Sequence, residues 1–137
     1  DTPKQGPTTT GTLNNRDPHP KNRPIMLITT VLLFAIAAVL GATLLTQVFR
    51  DKETPKPVVY SHGVAAAVAL VLLIIVYSRS GDSLLLTSLL VFVIAALGGF
   101  VLFGRDVTGR SIPKGLAAIH AVAAVTAFVI LLTAVFM

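Results

Sequence analysis

Four long apolar segments constrain the fold of this chain more than any other feature of its sequence. They are residues 24–49, 57–78, 83–103 and 114–137, and none has Asp, Glu, Lys or Arg in its interior. A hydrocarbon core of about 30 Å is crossed by about 20 helical residues. A membrane β-barrel would instead alternate polar and apolar residues in segments of about ten. The continuous runs therefore predict four transmembrane helices in an all-α membrane protein.

The polar stretches between these segments predict a tail and two helical hairpins. Residues 1–23 lack apolar periodicity, and we expect this tail to be disordered unless a neighbouring subunit holds it. Residues 24–78 and 83–137 form the two predicted hairpins. Between them, residues 81–83 (Gly-Asp-Ser) predict a left-handed Gly81 followed by a helix N-cap at Asp82 or Ser83. We expect the first apolar segment to be a retained span and not a signal peptide.

The second hairpin repeats the first at an offset of 58 residues without a gap. Abundant Ala and Leu cannot account for matches of Gly, Pro-Lys and His, so we interpret the chain as a tandem duplication of a helical hairpin. Equivalent helices are two spans apart and thus parallel, which predicts a pseudo-twofold axis along the membrane normal. The matches include Phe34, Ile36, Ala37, Ala38, Gly41, Pro55, Lys56 and His62 with Phe92, Ile94, Ala95, Ala96, Gly99, Pro113, Lys114 and His120.

His62 and His120 are the candidate ligands of a shared cofactor. Each follows a lysine by six residues, about 9 Å of helix, which predicts a common depth near one membrane face. A histidine within a membrane span is costly and is read as functional by default. Two imidazoles that converge from parallel helices suit the axial positions of a haem iron. We therefore predict haem b with His62 and His120 as metal ligands.

The residues around the two histidines are compatible with such a cofactor. Ala66 and Ala124 lie one turn beyond each histidine on the same helical face, where a flat macrocycle needs small side chains. Basic residues at this membrane edge are predicted to pair with the haem propionates. They are Lys56, Lys114, Arg105 and Arg110.

Other interpretations of the histidines remain open. They could bind a chlorophyll-type or bacteriochlorophyll pigment, or form hydrogen bonds between helices. The patterns Ala37-x3-Gly41 and Ala95-x3-Gly99 are typical of close helix packing, and we assign them to it. Zinc or copper held by two histidines alone would lack ligands. No set of nucleophile, base and orienting group is evident, so a stand-alone enzyme is not expected.

Composition limits the partners. The net charge of +5 is spread over tail and loops, which favours contact with lipid headgroups and argues against nucleic acid. The absence of cysteine from the sequence excludes disulfides, cysteine-bound iron–sulfur clusters and c-type haem attachment. More Lys and Arg flank the first and third loops than the opposite side, so the positive-inside rule places those loops in the cytoplasm, in a bacterial inner membrane.

In general plan the chain is similar to the haem b anchor subunits of membrane oxidoreductases. The paired histidines lead us to predict a b-type cytochrome subunit that passes electrons between a quinone and a partner redox subunit. The alternative is an accessory or scaffold subunit of a larger respiratory or photosynthetic complex, with or without pigment on the histidines. In either case we expect other membrane subunits or a second copy as partners.

Overall fold

The computed structural model describes residues 23–136, and within this range the chain is all-helical with no strands. Four helices follow in order: α1 (Arg23–Phe49), α2 (Lys56–Ser80), α3 (Ser83–Val107) and α4 (Lys114–Phe136). All four are long and apolar enough to cross a membrane. The prediction of an all-α fold with four helices that could span a membrane is confirmed. The tail predicted at residues 1–23 lies outside the described residues, except for Arg23.

The third helix is longer than its apolar segment. The predicted span ended at residue 103, whereas α3 continues to Val107. Helical backbone hydrogen bonds do not require apolar side chains. In the added turn, the Asp106 carboxylate accepts hydrogen bonds from the Thr54 hydroxyl and from Lys56 Nζ. The extra turn therefore projects from the apolar segment and carries a charged side chain to the neighbouring hairpin.

The turn between α2 and α3 has the predicted geometry. Gly81 adopts a left-handed conformation with φ of 65°, and its N–H donates to the carbonyl of Tyr77 at 2.9 Å. The Asp82 side chain accepts hydrogen bonds from the N–H groups of Leu84 at 2.8 Å and Leu85 at 3.3 Å. Two residues thus reverse the chain and satisfy donors that the helix start would otherwise leave unpaired.

The four helices form a closed ring in which chain neighbours are also spatial neighbours. α1 packs closely with α2, and α3 with α4, while the two hairpins meet along the α1–α4 and α2–α3 seams. Within the described range the diagonal pairs, α1 with α3 and α2 with α4, have no close backbone approach. Side chains on diagonal helices therefore meet only across the interior of the bundle.

The apolar core occupies the half of the bundle that contains the α2–α3 turn. At its inner edge the rings of Phe34 and Phe92 stack, with centroids 3.8 Å apart and planes 4° from parallel. On the same side, the buried Ser88 hydroxyl donates to the carbonyl of Ala127 at 2.9 Å and so ties α3 to α4. The core comprises Phe34, Ala69, Leu73, Val76, Leu85, Leu89, Phe92, Ala127 and Leu131.

Candidate histidine site

The structure brings His62 and His120 together across the interior of the bundle. His62 lies on α2 and His120 on α4, which are diagonal helices. The centroids of the two imidazoles are 6.3 Å apart, and their planes cross at 80°. Both lie in the half of the bundle that the apolar core does not occupy.

Each imidazole is anchored to a backbone carbonyl of the neighbouring helix in its own hairpin. Nδ1 of His62 donates to the carbonyl oxygen of Ala37 at 2.9 Å, and Nδ1 of His120 donates to that of Ala95 at 2.8 Å. A carbonyl oxygen can only accept, so the proton of each ring lies on Nδ1. In a neutral imidazole this leaves the lone pair on Nε2, the form that binds metal ions.

Glycine makes these carbonyls accessible to the imidazoles. In α1 the carbonyl of Ala37 lies one turn before Gly41, and a Cβ on Gly41 would be 3.0 Å from Cε1 of His62. In α3 a Cβ on Gly99 would likewise be 3.0 Å from Cε1 of His120. Side chains at these positions would push the rings away from the carbonyls. Gly41 and Gly99 therefore belong to the site.

The small-residue patterns on α1 and α3 have a more specific role than the helix packing that we predicted for them. Each pattern supplies a carbonyl that accepts a hydrogen bond from a histidine. It also supplies a glycine, which leaves room for the imidazole ring because it has no side chain. The internal repeat of the sequence could have identified the two glycines as part of the site. Gly41 and Gly99 match at the same 58-residue offset as the histidines.

The interior is less closed at the level of the histidines than in the core. His62, His120, Ala66 and Ala124 are all only partly buried. Ala69, one turn further along the same face as Ala66, is fully buried. Among residues 23–136 no hydrogen bond reaches Nε2 of either histidine, and no side-chain nitrogen is buried without a partner. Both Nε2 atoms thus remain accessible to a ligand.

The stacked phenylalanines separate this open region from the core. Phe34 precedes Ala37 by three residues, about 4.5 Å along α1, and so lies nearer the end of the bundle that contains the α2–α3 turn than the carbonyl that anchors His62. Phe92 has the same relation to Ala95 on α3. The Phe34–Phe92 pair therefore forms the floor of the histidine site.

The two predicted basic partners on α2 and α4 are engaged by acidic residues. Lys56 Nζ lies 2.7 Å from the carboxylate of Asp106, which also accepts a hydrogen bond from the Thr54 hydroxyl. Lys114 Nζ lies 2.7 Å from the carboxylate of Asp51. Each lysine therefore pairs with an acid of the opposite hairpin. Sequence reasoning did not single out Thr54, Asp51 or Asp106.

Of the two predicted arginines, Arg105 lies in the last turn of α3 and Arg110 in the loop between α3 and α4. Arg105 Nε donates to the carbonyl of Ser111 at 2.9 Å, a contact between the end of α3 and the loop that follows it. Arg110 is exposed. The structure thus places both arginines on the same membrane side as the histidines and gives Arg105 a local structural contact.

The two imidazoles are the metal-ligating side chains that the described part of the chain brings together at this site. Within the described range, no group of three or more His, Cys, Asp or Glu side chains could hold a metal ion. Two nitrogen donors alone leave the tetrahedral or larger coordination shells of common protein metals incomplete. A metal held about 2 Å from the nitrogen of each imidazole would place the ring centroids about 6 Å apart, and the observed separation is 6.3 Å.

Comparison of the chain with protein-family models, with curated proteins and with solved structures finds no match.

Proposed function

We propose that this protein is a membrane b-type cytochrome subunit in which His62 and His120 are the axial ligands of one haem b. The observation that carries the proposal is the matched orientation of the imidazoles. Both have Nδ1 bonded to a backbone carbonyl, which leaves two Nε2 lone pairs on rings 6.3 Å apart. Haem b would supply the further nitrogen ligands that the described residues do not offer. When bound, it provides one-electron transfer.

The surroundings of the histidines support a flat macrocycle. Ala66 and Ala124 present only methyl groups on the histidine faces and are partly exposed, so they add little side-chain bulk to the space that a macrocycle between α2 and α4 would need. Phe34 and Phe92 bound that space on the core side. Because His62 and His120 would both ligate the iron, activation of oxygen or of another small ligand would be disfavoured.

A chlorophyll-type pigment fits the same residues less well. Such a pigment binds its magnesium through one axial histidine, so the second imidazole would have no metal ligand role. The two histidines are oriented in the same way by equivalent carbonyls. This equivalence favours a six-coordinate metal that uses both.

We also propose that the bundle arose by duplication of one hairpin. Residues 58 positions apart make the same contacts: His62 and His120 with carbonyls, and Gly41 and Gly99 with imidazoles. Phe34 and Phe92, also 58 residues apart, stack on each other. A pseudo-twofold axis along the membrane normal would relate each pair.

The proposed role is electron transfer between a quinone and a partner redox subunit in a bacterial inner membrane. The histidines lie nearer the α1–α2 and α3–α4 loops than the α2–α3 turn, and the distribution of Lys and Arg favours those loops on the cytoplasmic side. One haem near one face does not span the bilayer. A partner subunit or a second copy would complete the path.

The second candidate function is an accessory subunit that scaffolds a larger respiratory or photosynthetic complex. Apolar side chains are exposed along all four helices, including Ile36, Val71, Phe100 and Val122. This surface suits lipid and would equally suit the helices of other subunits. Under this alternative the histidine site need not carry a redox cofactor.

An absorption spectrum of the full chain tests the proposal. The protein is expressed in a haem-producing bacterium, purified in mild detergent and measured in oxidised and dithionite-reduced forms. We expect a low-spin spectrum with sharp α and Soret bands and one haem per chain. A colourless protein that also fails to take up added haemin would contradict the proposal and favour the scaffold, whereas a red-absorbing pigment would favour an antenna role.

Variants of the histidines show whether these residues are the ligands. His62→Gly and His120→Gly should each lose the low-spin spectrum, and added imidazole should restore it by entering the vacated position. His19→Ala, which changes the third histidine of the chain, is the matched control and should leave the spectrum unchanged. Full haem content with an unaltered spectrum in His62→Gly would exclude bis-histidine ligation.

A further inference from the structure

Two ion pairs join the hairpins at the membrane face nearest the histidines. Lys56 at the start of α2 binds Asp106 at the end of α3, and Lys114 at the start of α4 binds Asp51 in the α1–α2 loop, both at 2.7 Å. Each lysine also donates to a backbone carbonyl of the other hairpin, that of Asp106 at 3.1 Å and that of Phe49 at 3.3 Å. The two seams between the hairpins are therefore closed by equivalent lysines.

The acids in these pairs differ sharply in burial. The Asp106 side chain is 9% exposed, whereas that of Asp51 is 79% exposed. Asp106 is further bonded by the hydroxyl of Thr54, a residue that is itself 8% exposed. The lysines are similarly exposed, at 52% for Lys56 and 42% for Lys114. The difference between the pairs therefore lies in the acid.

This difference in burial decides which pair can open. If Lys56 moved away, the nearly buried carboxylate of Asp106 would lose its cationic partner, which is strongly unfavourable. If Lys114 moved away, water would solvate Asp51 at once, and exposed ion pairs contribute little to stability. Lys114 can therefore exchange its partner at low cost, and Lys56 cannot.

We infer that Lys114 is the carboxylate-binding residue of the histidine site. It releases Asp51 to bind a carboxylate of the ligand held by His62 and His120, while Lys56, Thr54 and Asp106 stay together and keep the α2–α3 seam closed. The inference rests on the proposed function, because it requires a ligand that carries carboxylates, as the propionates of haem b do. It gives the two lysines different roles, whereas the repeat suggests the same role for both.

Titration of the full-length apoprotein with two porphyrins tests this assignment. Haemin carries free propionates, and haemin dimethyl ester carries none. Wild-type protein should bind haemin more tightly than the ester. Lys114→Gln should weaken haemin binding about tenfold or more, as expected for loss of a charge-assisted hydrogen bond, and should leave binding of the ester unchanged. Asp51→Asn, which removes the competing acid, should strengthen haemin binding only.

Lys56→Gln is the matched control, since it changes the equivalent lysine of the other hairpin. It should lower the thermal stability of the apoprotein while leaving the ratio of haemin to ester affinity at the wild-type value. Equal binding of haemin and ester by the wild type, or an equal loss of haemin affinity in both lysine variants, overturns the inference and leaves the haem proposal intact. Failure of the wild type to bind either porphyrin overturns both.

Discussion

Gly41 lies directly against the imidazole of His62: a Cβ on this glycine would be 3.0 Å from Cε1 and 3.3 Å from Nδ1 of the ring. That distance is too short for a relaxed contact, and the ring is held in place by its bond to the Ala37 carbonyl. The equivalent relation of Gly99 to His120 has the same dimensions at Cε1. The histidine site thus depends on two glycines that do not themselves bind a ligand.

Gly41→Ala and Gly99→Ala should displace the adjacent imidazole and lower haem content. Inserting a methyl group at a packed position typically costs about 1–3 kcal/mol, and a shift of the ring breaks the bond that orients Nε2. Haem content per chain and the intensity of the α band measure the effect. Gly63→Ala is the control, because a Cβ at Gly63 meets no atom within 4 Å. Full haem content in Gly41→Ala would show that the ring tolerates the methyl group.

Phe34→Ala should destabilise the bundle, since it removes one member of the stacked pair between the site and the core. Truncation of a buried phenylalanine costs about 3–5 kcal/mol in cores that have been measured. Thermal unfolding in detergent, or titration with a denaturing detergent, measures the loss. Phe100→Ala, at a position that is 72% exposed, should change stability much less. Similar losses in the two variants would count against the Phe34–Phe92 stack as a stabilising contact.

Ser88→Ala should lower stability slightly by removing the buried hydrogen bond from α3 to the carbonyl of Ala127. Interhelical hydrogen bonds in membrane proteins contribute about 0.6 kcal/mol on average, so the shift should be small and reproducible. Thr87→Ala is the neighbouring control: its hydroxyl is exposed and bonds within its own helix, to the carbonyl of Ser83. Substituting Ala127 together with Ser88 would not test this hydrogen bond further, because the acceptor is the backbone carbonyl of residue 127, which a side-chain substitution does not remove.

Asp82→Ala should weaken the start of α3. The Asp82 carboxylate accepts from two otherwise unpaired N–H groups, and loss of such an N-cap costs about 1 kcal/mol. Asp82→Asn keeps a side-chain acceptor and should retain most of the stability. Hydrogen exchange at the amides of Leu84 and Leu85 reports on the cap directly. Unchanged protection in Asp82→Ala would mean that the turn geometry alone holds the helix start.

The chain's apolar patterning was sufficient to predict four helices, and the turn at Gly81 and Asp82 followed from residue preferences alone. These are local properties, because hydropathy over about 20 residues and the left-handed preference of glycine do not depend on distant parts of the chain. The extension of α3 to Val107 was not predicted, because it involves a contact with a distant part of the chain. It places Asp106 beside Lys56, a contact between residues 50 positions apart.

The sequence by itself determined that the chain has four segments long and apolar enough to cross a membrane and that His62 and His120 occupy matching positions at an offset of 58 residues. Only the tertiary structure decided that α2 and α4 are diagonal, so that the two imidazoles face each other across an interior that is partly open. It also decided which carbonyls orient the rings, why Gly41 and Gly99 are needed, and which acids hold the lysines. The physical reason is that periodicity describes one helix at a time, whereas the site is made by distances between helices.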